Sequence, residues 1–493
     1  MLEQQLKELR RLVFGAKSER YVPSEVPANQ LNIFTGSPDA EVVLDSDADT
    51  AQQDTVVRTR KVIKKPSKHK GRSLLDGLQH LPTEETIYDE PPTADSICIG
   101  QHERATLAYT PGIFHIRKEI TKKYKNPATG RITSADLPAQ PIDRCEADIS
   151  LLSHICVAKH VDHLPEYRQV QMYKRDGVSI PTSTINDWVQ QTARLLQPMA
   201  DHIGAEILHS GYIMVDESTI KVLKTKRNKA HTGWMWLIYS PGLQAVRFMY
   251  HHGRTHDIPH DLLKNYQGHF QTDGYAAYDA IEVINSQADH SSCNAHARRY
   301  FDKALDNDSV RAEHAMQVYH DLYKVERQLR TYRENHPDLC DEDYYAYRQE
   351  QRKQVLPVLE QYKKWLEKQA IEVLPKSPIG RAIKYVLKRW TKLTKYATNG
   401  MLEIDNNLIE NVVRPLALGR KNYLFAGSEK GAEHIAVFQT IFGTCKHLGI
   451  NPIDYLTWYL QNVAHTNINQ IATLSPWQYQ DTIKKSNTLL DGC

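Results

Sequence analysis

Two aspartates lie on predicted β-strands, one inside a strand and one at a strand end. Asp216 follows the apolar run at residues 212–215, and a desolvated carboxylate there costs several kcal/mol unless it is paired or bound to a metal. Asp273 ends a second predicted strand, just before Gly274. Strand ends in α/β sheets face the crevice where ligands bind, so two aspartates on adjacent strands can share a cation.

A third acid, Glu410, lies in the stretch EIDNNLIENVVRPLALGRKNYLFAGS at residues 403–428. Asp405 is predicted to cap a helix over residues 406–414, and Pro415 to end or kink it. Three polar side chains at four-residue spacing share one face of that helix: Asn406, Glu410 and Arg414. If the helix crosses the strand ends, Glu410 joins the two aspartates.

A set of three carboxylates offers only oxygen ligands, which suit Mg²⁺ or Mn²⁺ rather than zinc. Two such ions about 4 Å apart activate an attacking oxygen and stabilise a leaving oxygen in phosphoryl transfer. The chain has 59 acidic residues, so spacing alone does not single out these three, and each also fits a cap, a turn or the surface. Their placement on strands and a helix favours the metal site.

Glu217 is predicted to point to the opposite face of the sheet, either solvated or supporting the site.

Basic and aromatic residues follow Glu410. Arg414, Arg420 and Lys421 are predicted to bind phosphates, although cations near a helix C-terminus also suit the helix dipole. Tyr423 and Phe425 either stack on an unpaired base or form the core of a strand, and the second is the usual fate of such residues.

The segment CNAHARRYF at residues 293–301 follows the predicted fifth strand. It offers further candidate contacts to a scissile phosphate, alongside Asn406: His296, Arg298 and Arg299. His296 also fits a packing or capping role. Cys293 and His296 together are two ligands too few for a zinc site.

The composition is that of a globular protein with several domains. A chain of 493 residues predicts two to four domains, and 41% apolar with 25% charged residues allows a core to form. The net charge of +3 restricts polyanion binding to local basic patches. The 7 cysteines contain no CxxC pair, which argues against a disulfide framework and for a reducing compartment. No apolar run is long enough to predict a membrane span, and the N-terminal residues do not read as a signal peptide.

The N-terminal third is predicted to hold three segments. Residues 1–35 form a short leucine-zipper-like helix, which either dimerises or packs within its own domain. Residues 36–82 are an acidic and then basic linker, whose basic part holds phosphates or is simply solvated. Residues 83–147 form a small β-rich module.

The rest of the chain is predicted to contain the catalytic core. Residues 148–205 are helical and compatible with helix-turn-helix DNA binding or with a structural hairpin, with the third helix capped by Thr182 or Ser183. Residues 206–307 follow the order β-β-β-α-β-α-β-α, which is that of the ribonuclease-H-like fold.

Three predicted segments complete the chain. Residues 308–400 form a helical insert, whose last helix begins at Ser377-Pro378 and ends at Asn399-Gly400. Residues 401–431 return to the core with the helix of Glu410, and residues 432–493 are helical. The predicted class is therefore a mixed, multidomain protein with an α/β core and a helical N-terminal region.

At these residues the sequence closely resembles DDE transposases of the insertion sequence 66 family, and the resemblance runs through nearly the whole chain. It rests on six motifs: LRRLVFGAKSER near the start, KHVDHLPEYRQ at 159–169, VDEST at 215–219, QTDGYAAY at 271–278, CNAHARRYF, and the stretch at 403–428.

The resemblance implies a ribonuclease-H-like catalytic domain with Asp216, Asp273 and Glu410 as catalytic residues and ligands of Mg²⁺ or Mn²⁺, with two ions expected. It implies nicking at the ends of a mobile element, followed by attack of the 3′-OH on target DNA. The expected partners are element ends, target DNA, further copies of this chain in the DNA complex, and small accessory proteins of the element. The expected location is the bacterial cytoplasm, at the nucleoid.

The sequence departs from the family at its zinc site. Family members carry a cysteine cluster between the basic linker and the helical region. Near that place only Cys98, in ICIG, remains, and the following segment KKYKNPATGR has no cysteine. A zinc ion is therefore not expected.

The same sequence features leave two alternatives to a transposase. A nuclease that cuts without strand transfer would need the same acids but little of the appended mass. A non-catalytic DNA-binding regulator would tolerate neutral residues at the three positions, yet all three acids are present.

Overall fold

The computed structural model describes residues 75, 76, 78, 79, 81–88, 97–110, 112–224 and 230–490. The zipper-like helix predicted for residues 1–35 and most of the linker predicted for residues 36–82 lie outside the described residues.

A small sheet opens the described chain. Its strands are β1 (Thr83–Tyr88), β2 (Ile97–Thr110), β3 (Ile113–Lys125) and β4 (Ile132–Ser134). Strand β3 pairs with all of the others, parallel to β1 and antiparallel to β2 and β4. Gly112, between β2 and β3, has a φ of +84°, which glycine adopts without strain.

Three helices follow: α1 (Ile149–His160), α2 (Glu166–Arg175) and α3 (Thr182–His209). Asp148 caps α1 by accepting a hydrogen bond from the Ser150 amide. The cap predicted at Thr182 or Ser183 is wrong, because α3 is preceded by Pro181 and both residues lie in its first turn. Pro181 makes no side-chain cap bond to the first turn of this helix. Helix α3 also continues through Pro198 to His209.

A second, mixed sheet forms the centre of the molecule. Its five main strands are β5 (Tyr212–Lys224), β6 (His231–Ser240), β7 (Ala245–His251), β8 (Gly268–Thr272) and β9 (Ala288–Ser292). They lie in the order β7-β6-β5-β8-β9, with β5 to β7 antiparallel and β8 and β9 parallel to β5. The short β10 (Ala426–Ser428) pairs in parallel with the far end of β5.

Helices connect the later strands of this sheet. They are α4 (Asp257–Leu263), α5 (Ala276–Asp279), α6 (Ile281–Ile284) and α7 (Asn294–Asp302). The single helix predicted over residues 275–284 is thus divided in two.

Both faces of the central sheet are buried, so β5 carries apolar residues in succession rather than in alternation. Ile213 and Val215 belong to a core shared with α3, whereas Met214 belongs to a second core shared with α7. By strand alternation, Asp216 points toward the second core and Glu217 toward the first.

The predicted helical insert contains five helices: α8 (Ser309–Asn335), α9 (Asp341–Arg352), α10 (Leu356–Glu372), α11 (Pro378–Lys388) and α12 (Trp390–Thr394). Ser377 caps α11 and Pro378 is its first residue, as predicted. The predicted end at Asn399-Gly400 is wrong. Helix α11 ends at Lys388, and α12 and a 3₁₀ turn (Lys395–Thr398) lead to Gly400.

Four helices and a 3₁₀ segment complete the chain: α13 (Asn407–Tyr423), α14 (Glu429–His447), α15 (Pro452–Val463), a 3₁₀ helix (Ile468–Leu474) and α16 (Pro476–Leu490). Helix α14 covers the edge of β7, where the Thr444 and Thr440 hydroxyls accept hydrogen bonds from the Val246 and Phe248 amides. These bonds satisfy edge amides that would otherwise be open to another strand. Among the described helices, none is long and apolar enough to span a bilayer.

Candidate metal and nucleic-acid site

Asp216 and Asp273 lie at one level of two adjacent parallel strands. The register pairs Tyr212 with His269 and Met214 with Gln271. Two residues beyond Met214, still within β5, stands Asp216. Two residues beyond Gln271, just after β8, stands Asp273. The sheet therefore brings these two acids to the same edge, as the sequence predicted.

The turn after Asp273 is held from two sides. Its carboxylate accepts a hydrogen bond from the Tyr275 amide at 2.8 Å, and its backbone carbonyl accepts one from the Tyr385 hydroxyl at 3.1 Å. Gly274 has a φ of +97°, and a Cβ there would lie 2.6 Å from the Tyr385 hydroxyl. Only glycine therefore fits between this turn and α11 of the insert.

Glu410 reaches the site on α13, which starts differently from the prediction. The helix begins one residue later than predicted, because Asn406 occupies the cap position and makes no side-chain cap bond. The Asp405 carboxylate nevertheless accepts a hydrogen bond from the Asn407 amide at 3.0 Å, the first amide of the helix, and another from the Tyr323 hydroxyl at 2.6 Å. These bonds tie the start of α13 to α8 of the insert.

The end predicted for this helix at Pro415 is also wrong, because α13 continues through it to Tyr423. A proline inside a helix costs about 3 kcal/mol. Val412 and Leu416, on either side of it, are buried in the core beneath the sheet. Burial of this apolar face offsets the lost hydrogen bond.

Glu410 is paired with two residues of α7. Arg299 Nη2 lies 2.9 Å from Oε2 of Glu410, and His296 Nδ1 lies 3.9 Å from Oε1. Arg299 Nη1 is also 3.2 Å from His296 Nε2. Since α7 begins directly after β9, the sheet itself positions both partners of Glu410.

The three acids influence one another electrostatically. Burial, helped by the negative charges of Glu217, Asp273 and Glu410, raises the pKa of Asp216 to about 8. Burial and Arg299 lower the pKa of His296, against the opposing effect of Asp273 and Glu410. A bound cation would relieve this repulsion between carboxylates.

The three carboxylates are nevertheless loosely gathered. Within the described part of the chain, they do not form a group whose ligand atoms all lie within 4.8 Å of one another. Two ions about 4 Å apart span a wider set of ligands than one ion does.

Glu217 lies buried on the other face of the sheet, with 2% of its side chain exposed. Arg254 donates to one carboxylate oxygen, and the Tyr278 hydroxyl donates to the other at 2.7 Å. Burial raises the pKa of Glu217, while these two partners lower it. The alternative that Glu217 is solvated is therefore wrong, and its side chain anchors Arg254 beneath the sheet.

The residues predicted to contact DNA differ in exposure and in their contacts within the protein. Arg298, Arg414 and Lys421 are exposed. Arg420 donates to the backbone and side-chain oxygens of Thr219 and so joins α13 to β5. Asn406 is fully buried, which does not match the surface contact predicted for it.

The two aromatics after α13 do not form the core of a strand, so that prediction is wrong. Tyr423 is the last residue of α13, half-buried with its ring against Gly419. Phe425 is 39% exposed and lies just before β10. Between them Leu424 has a φ of +63°, which turns the chain away from the helix axis.

Both aromatics line a cleft of about 570 Å³ between the segment after α13 and helices α1 to α3. Lys159, Glu166 and Asn186 line its other wall. His160, at its base, is buried and stacked on Phe438 with ring centroids 4.2 Å apart. Neither ring nitrogen of His160 has a hydrogen-bond partner among the described residues.

Sequence reasoning missed the role of the insert in this site. Tyr385 of α11 and Arg389, directly after that helix, contact the backbone of Asp273 and Gly274. Nothing local in the sequence indicated what the end of this helix contacts.

Comparison with known proteins identifies the family. The model of the "Transposase IS66 family" matches residues 144–434, that of the "IS66 C-terminal element" matches residues 440–477, and that of "Transposase C of IS166 homeodomain" matches residues 1–86. The chain therefore belongs to the IS66 transposase family. Membership identifies it as a DNA-binding protein of an insertion sequence.

Three relatives from Sinorhizobium fredii (strain NBRC 101917 / NGR234) resemble the chain over most of its length. Uncharacterized protein y4jD is 28% identical over 501 residues, covering 97% of this chain and 94% of the relative. Uncharacterized protein y4qI is 30% identical over 418 residues, covering 80% and 75%. Uncharacterized protein y4hP is 28% identical over 510 residues, covering 97% and 88%.

Proposed function

We propose that this protein is a DDE transposase that cuts DNA at the ends of an insertion sequence and joins the resulting 3′-OH to target DNA. The observation that supports the proposal is the parallel register that puts Asp216 and Asp273 at one level of β5 and β8, with the charge of Glu410 close enough to raise the pKa of Asp216. Family membership supplies the reaction class, and the acids supply a site for it.

The donor set fits divalent magnesium or manganese. The three side chains offer only carboxylate oxygens, and their mutual repulsion favours a cation between them. When bound, two such ions activate the attacking oxygen and stabilise the leaving oxygen. Asp216, Asp273 and Glu410 would hold them.

Other residues of the chain orient the reactants. Tyr385 and Gly274 fix the turn that presents Asp273. Arg299 holds Glu410 in place through an ion pair, and His296 lies beside them. The exposed Arg414 and Lys421 extend from the same helix as Glu410, where they suit DNA phosphates.

The topology supports a ribonuclease-H-like core. Three antiparallel strands are followed by two strands parallel to the first, in the order β7-β6-β5-β8-β9, with helices against both faces. This is the arrangement expected from the sequence. On the same basis we propose helices α1 to α3 as a DNA-binding region, because they form one wall of the cleft beside α13.

The competing functions are separated by one experiment. The purified full-length protein is incubated with DNA carrying the element's own ends and a target plasmid, in Mg²⁺ or in EDTA. Wild type is expected to produce 3′-OH ends and joined products only with Mg²⁺. Asp216→Asn and Glu410→Gln should each lower the rate by at least about 100-fold, because each removes a ligand of the ions.

Asp338→Asn is the matched control, since this exposed acid lies in a loop of the insert and should leave the rate unchanged. Cleavage without joining would favour a nuclease. Binding to the ends without metal-dependent cleavage would favour a regulator. Equal cleavage by wild type and both acid variants would overturn the assignment of the acids.

A further inference from the structure

Two imidazoles and a carboxylate meet at the other end of the central sheet. A ligand atom from each of His231, His252 and Glu429 lies within 4.8 Å of the other two. His252 Nδ1 is 3.0 Å from Glu429 Oε1, and the rings of His231 and His252 stack with centroids 4.1 Å apart.

This group is separate from the acid site. His231 pairs with Val222 of β5, whereas Asp216 pairs with Leu237 of β6. The six residues between these two levels of β5 correspond to about 20 Å along a strand. The group therefore cannot share an ion with Asp216.

Regular backbone fixes all three side chains. His231 begins β6, and His252 directly follows β7, whose last residue pairs with Trp234 of β6. Glu429 begins α14, and the preceding Ser428 caps that helix by accepting from the Gly431 amide at 3.0 Å. The three side chains thus come from segments that are far apart in sequence but joined through one sheet.

His231 has the arrangement of a ligand imidazole. Its Nε2 lies 3.2 Å from the Tyr250 hydroxyl, while its Nδ1 is buried and makes no hydrogen bond to any described residue. In metal sites the nitrogen that does not bind the metal is usually held by such a partner. Nδ1 is therefore the nitrogen left for a ligand.

Tyr250 reaches His231 only because residue 233 is a glycine. A Cβ on Gly233 would lie 2.5 Å from Cε2 of the Tyr250 ring. The hydroxyl that orients His231 thus depends on a close approach between two strands.

A surface ion pair does not explain this arrangement. His252 and Glu429 alone would form such a pair, which contributes at most about 1 kcal/mol. The pair leaves unexplained the second imidazole, whose buried nitrogen without a partner costs about 1–3 kcal/mol. A metal ion would satisfy that nitrogen and the other two ligands together.

We propose that His231, His252 and Glu429 bind a transition-metal ion of the Zn²⁺ class. Two imidazoles and one carboxylate, completed by water, form a common four-coordinate zinc set, whereas magnesium prefers oxygen ligands alone. The ion would fasten the end of the β6–β7 pair to the first turn of α14. The sequence argued against zinc only through its cysteines, and this site uses none.

The test measures zinc binding by the full-length protein without DNA, so its outcome is independent of transposition. Protein freed of metal with EDTA is titrated with Zn²⁺ against a competing chelating indicator. Wild type is expected to bind one more tight Zn²⁺ per chain than His252→Gln, and Glu429→Gln should weaken that binding by at least about tenfold. Zn²⁺ should raise the Tm of wild type more than that of either variant.

His251→Gln is the matched control, because His251 is an exposed neighbour outside the group. It should bind Zn²⁺ as wild type does. His252 and Glu429 are accessible, so both variants should keep the metal-free Tm of wild type and report on binding rather than folding. The same zinc stoichiometry and affinity in wild type, His252→Gln and Glu429→Gln would overturn the site.

Discussion

Arg299 and Glu410 form an ion pair across two helices, with Nη2 of the guanidinium 2.9 Å from Oε2 of the carboxylate. Glu410 is the acid proposed as a metal ligand, so a cation and Arg299 draw on the same oxygens. The positive charge of Arg299 also repels a divalent ion at this position. Arg299 therefore holds Glu410 in place at the expense of metal affinity.

We predict that Arg299→Gln binds Mn²⁺ more tightly than wild type when DNA is absent. A partly exposed ion pair contributes up to about 1 kcal/mol, which corresponds to a gain in affinity of up to about fivefold. Mn²⁺ binding followed by electron paramagnetic resonance measures it. Arg298→Gln, an exposed neighbour on the same helix, is the control and should leave the affinity unchanged. Weaker binding by Arg299→Gln would mean that Arg299 organises the metal site rather than competing for it.

Asp216 lowers the free energy of unfolding of the metal-free protein, because its burial beside other acids raises its pKa to about 8. Near pH 7 the folded protein must protonate this group or bury its charge, whereas the unfolded chain leaves it ionised in water. We predict that in EDTA Asp216→Asn has a free energy of unfolding about 1–3 kcal/mol above that of wild type. Thermal unfolding measures the difference.

With saturating Mg²⁺ the order should reverse, since only wild type gains stability from the bound ions. Asp338→Asn should behave like wild type in both conditions. A lower Tm for Asp216→Asn in EDTA would show that the carboxylate stabilises the fold without metal.

Much of the central sheet is predictable from sequence, because its signal is local. The predicted order of strands and helices in residues 206–307 is found, and Ser377-Pro378 starts a helix as expected. The helix end predicted at Pro415 failed, because burial of the flanking Val412 and Leu416 overrides the local preference against proline.

The site is predictable only in part. Asp273 follows from the rule that strand ends face the ligand crevice, and Asp216 from the cost of burying an unpaired carboxylate in a strand. The pairing of Arg299 with Glu410 depends on how α7 packs against α13, and no spacing in the sequence encodes that packing. The group of His231, His252 and Glu429 was missed for the same reason, since Glu429 lies 177 residues beyond His252.

The cations of α13 should differ in their effect on DNA binding. Arg414 and Lys421 are exposed, so Arg414→Gln and Lys421→Gln should each reduce the slope of log K against log salt by about one. Fluorescence anisotropy with labelled element ends at several salt concentrations measures the slope. A full slope in both variants would exclude a phosphate contact at either position.

Arg420→Gln should instead lower stability by about 1 kcal/mol, because Arg420 donates to Thr219 and joins α13 to β5. Thermal unfolding without DNA separates it from the other two variants. An unchanged Tm together with a reduced salt slope would assign Arg420 to DNA rather than to the fold.

His160 gives the fold a sensitivity to acid. Burial lowers the pKa of its imidazole well below 6.5, helped by the charge of Lys159. Below about pH 6.5 the unfolded chain binds a proton there that the folded protein does not, so stability falls as the pH falls. Above that pH the full stability is present.

In wild type, unfolding takes up one proton at His160 in this pH range. We predict that His160→Phe lacks this uptake, so the slope of its free energy of unfolding against pH is smaller by about 1 kcal/mol per pH unit between pH 6 and 5. Phenylalanine keeps the stacking on Phe438 and removes two buried nitrogens without partners among the described residues. The variant should therefore be at least as stable as wild type at pH 7.

Urea unfolding at several pH values measures the slope of the free energy of unfolding against pH. His251→Gln, a histidine substitution at an exposed position, is the control. An unchanged slope in His160→Phe would show that His160 accepts a proton in the folded protein.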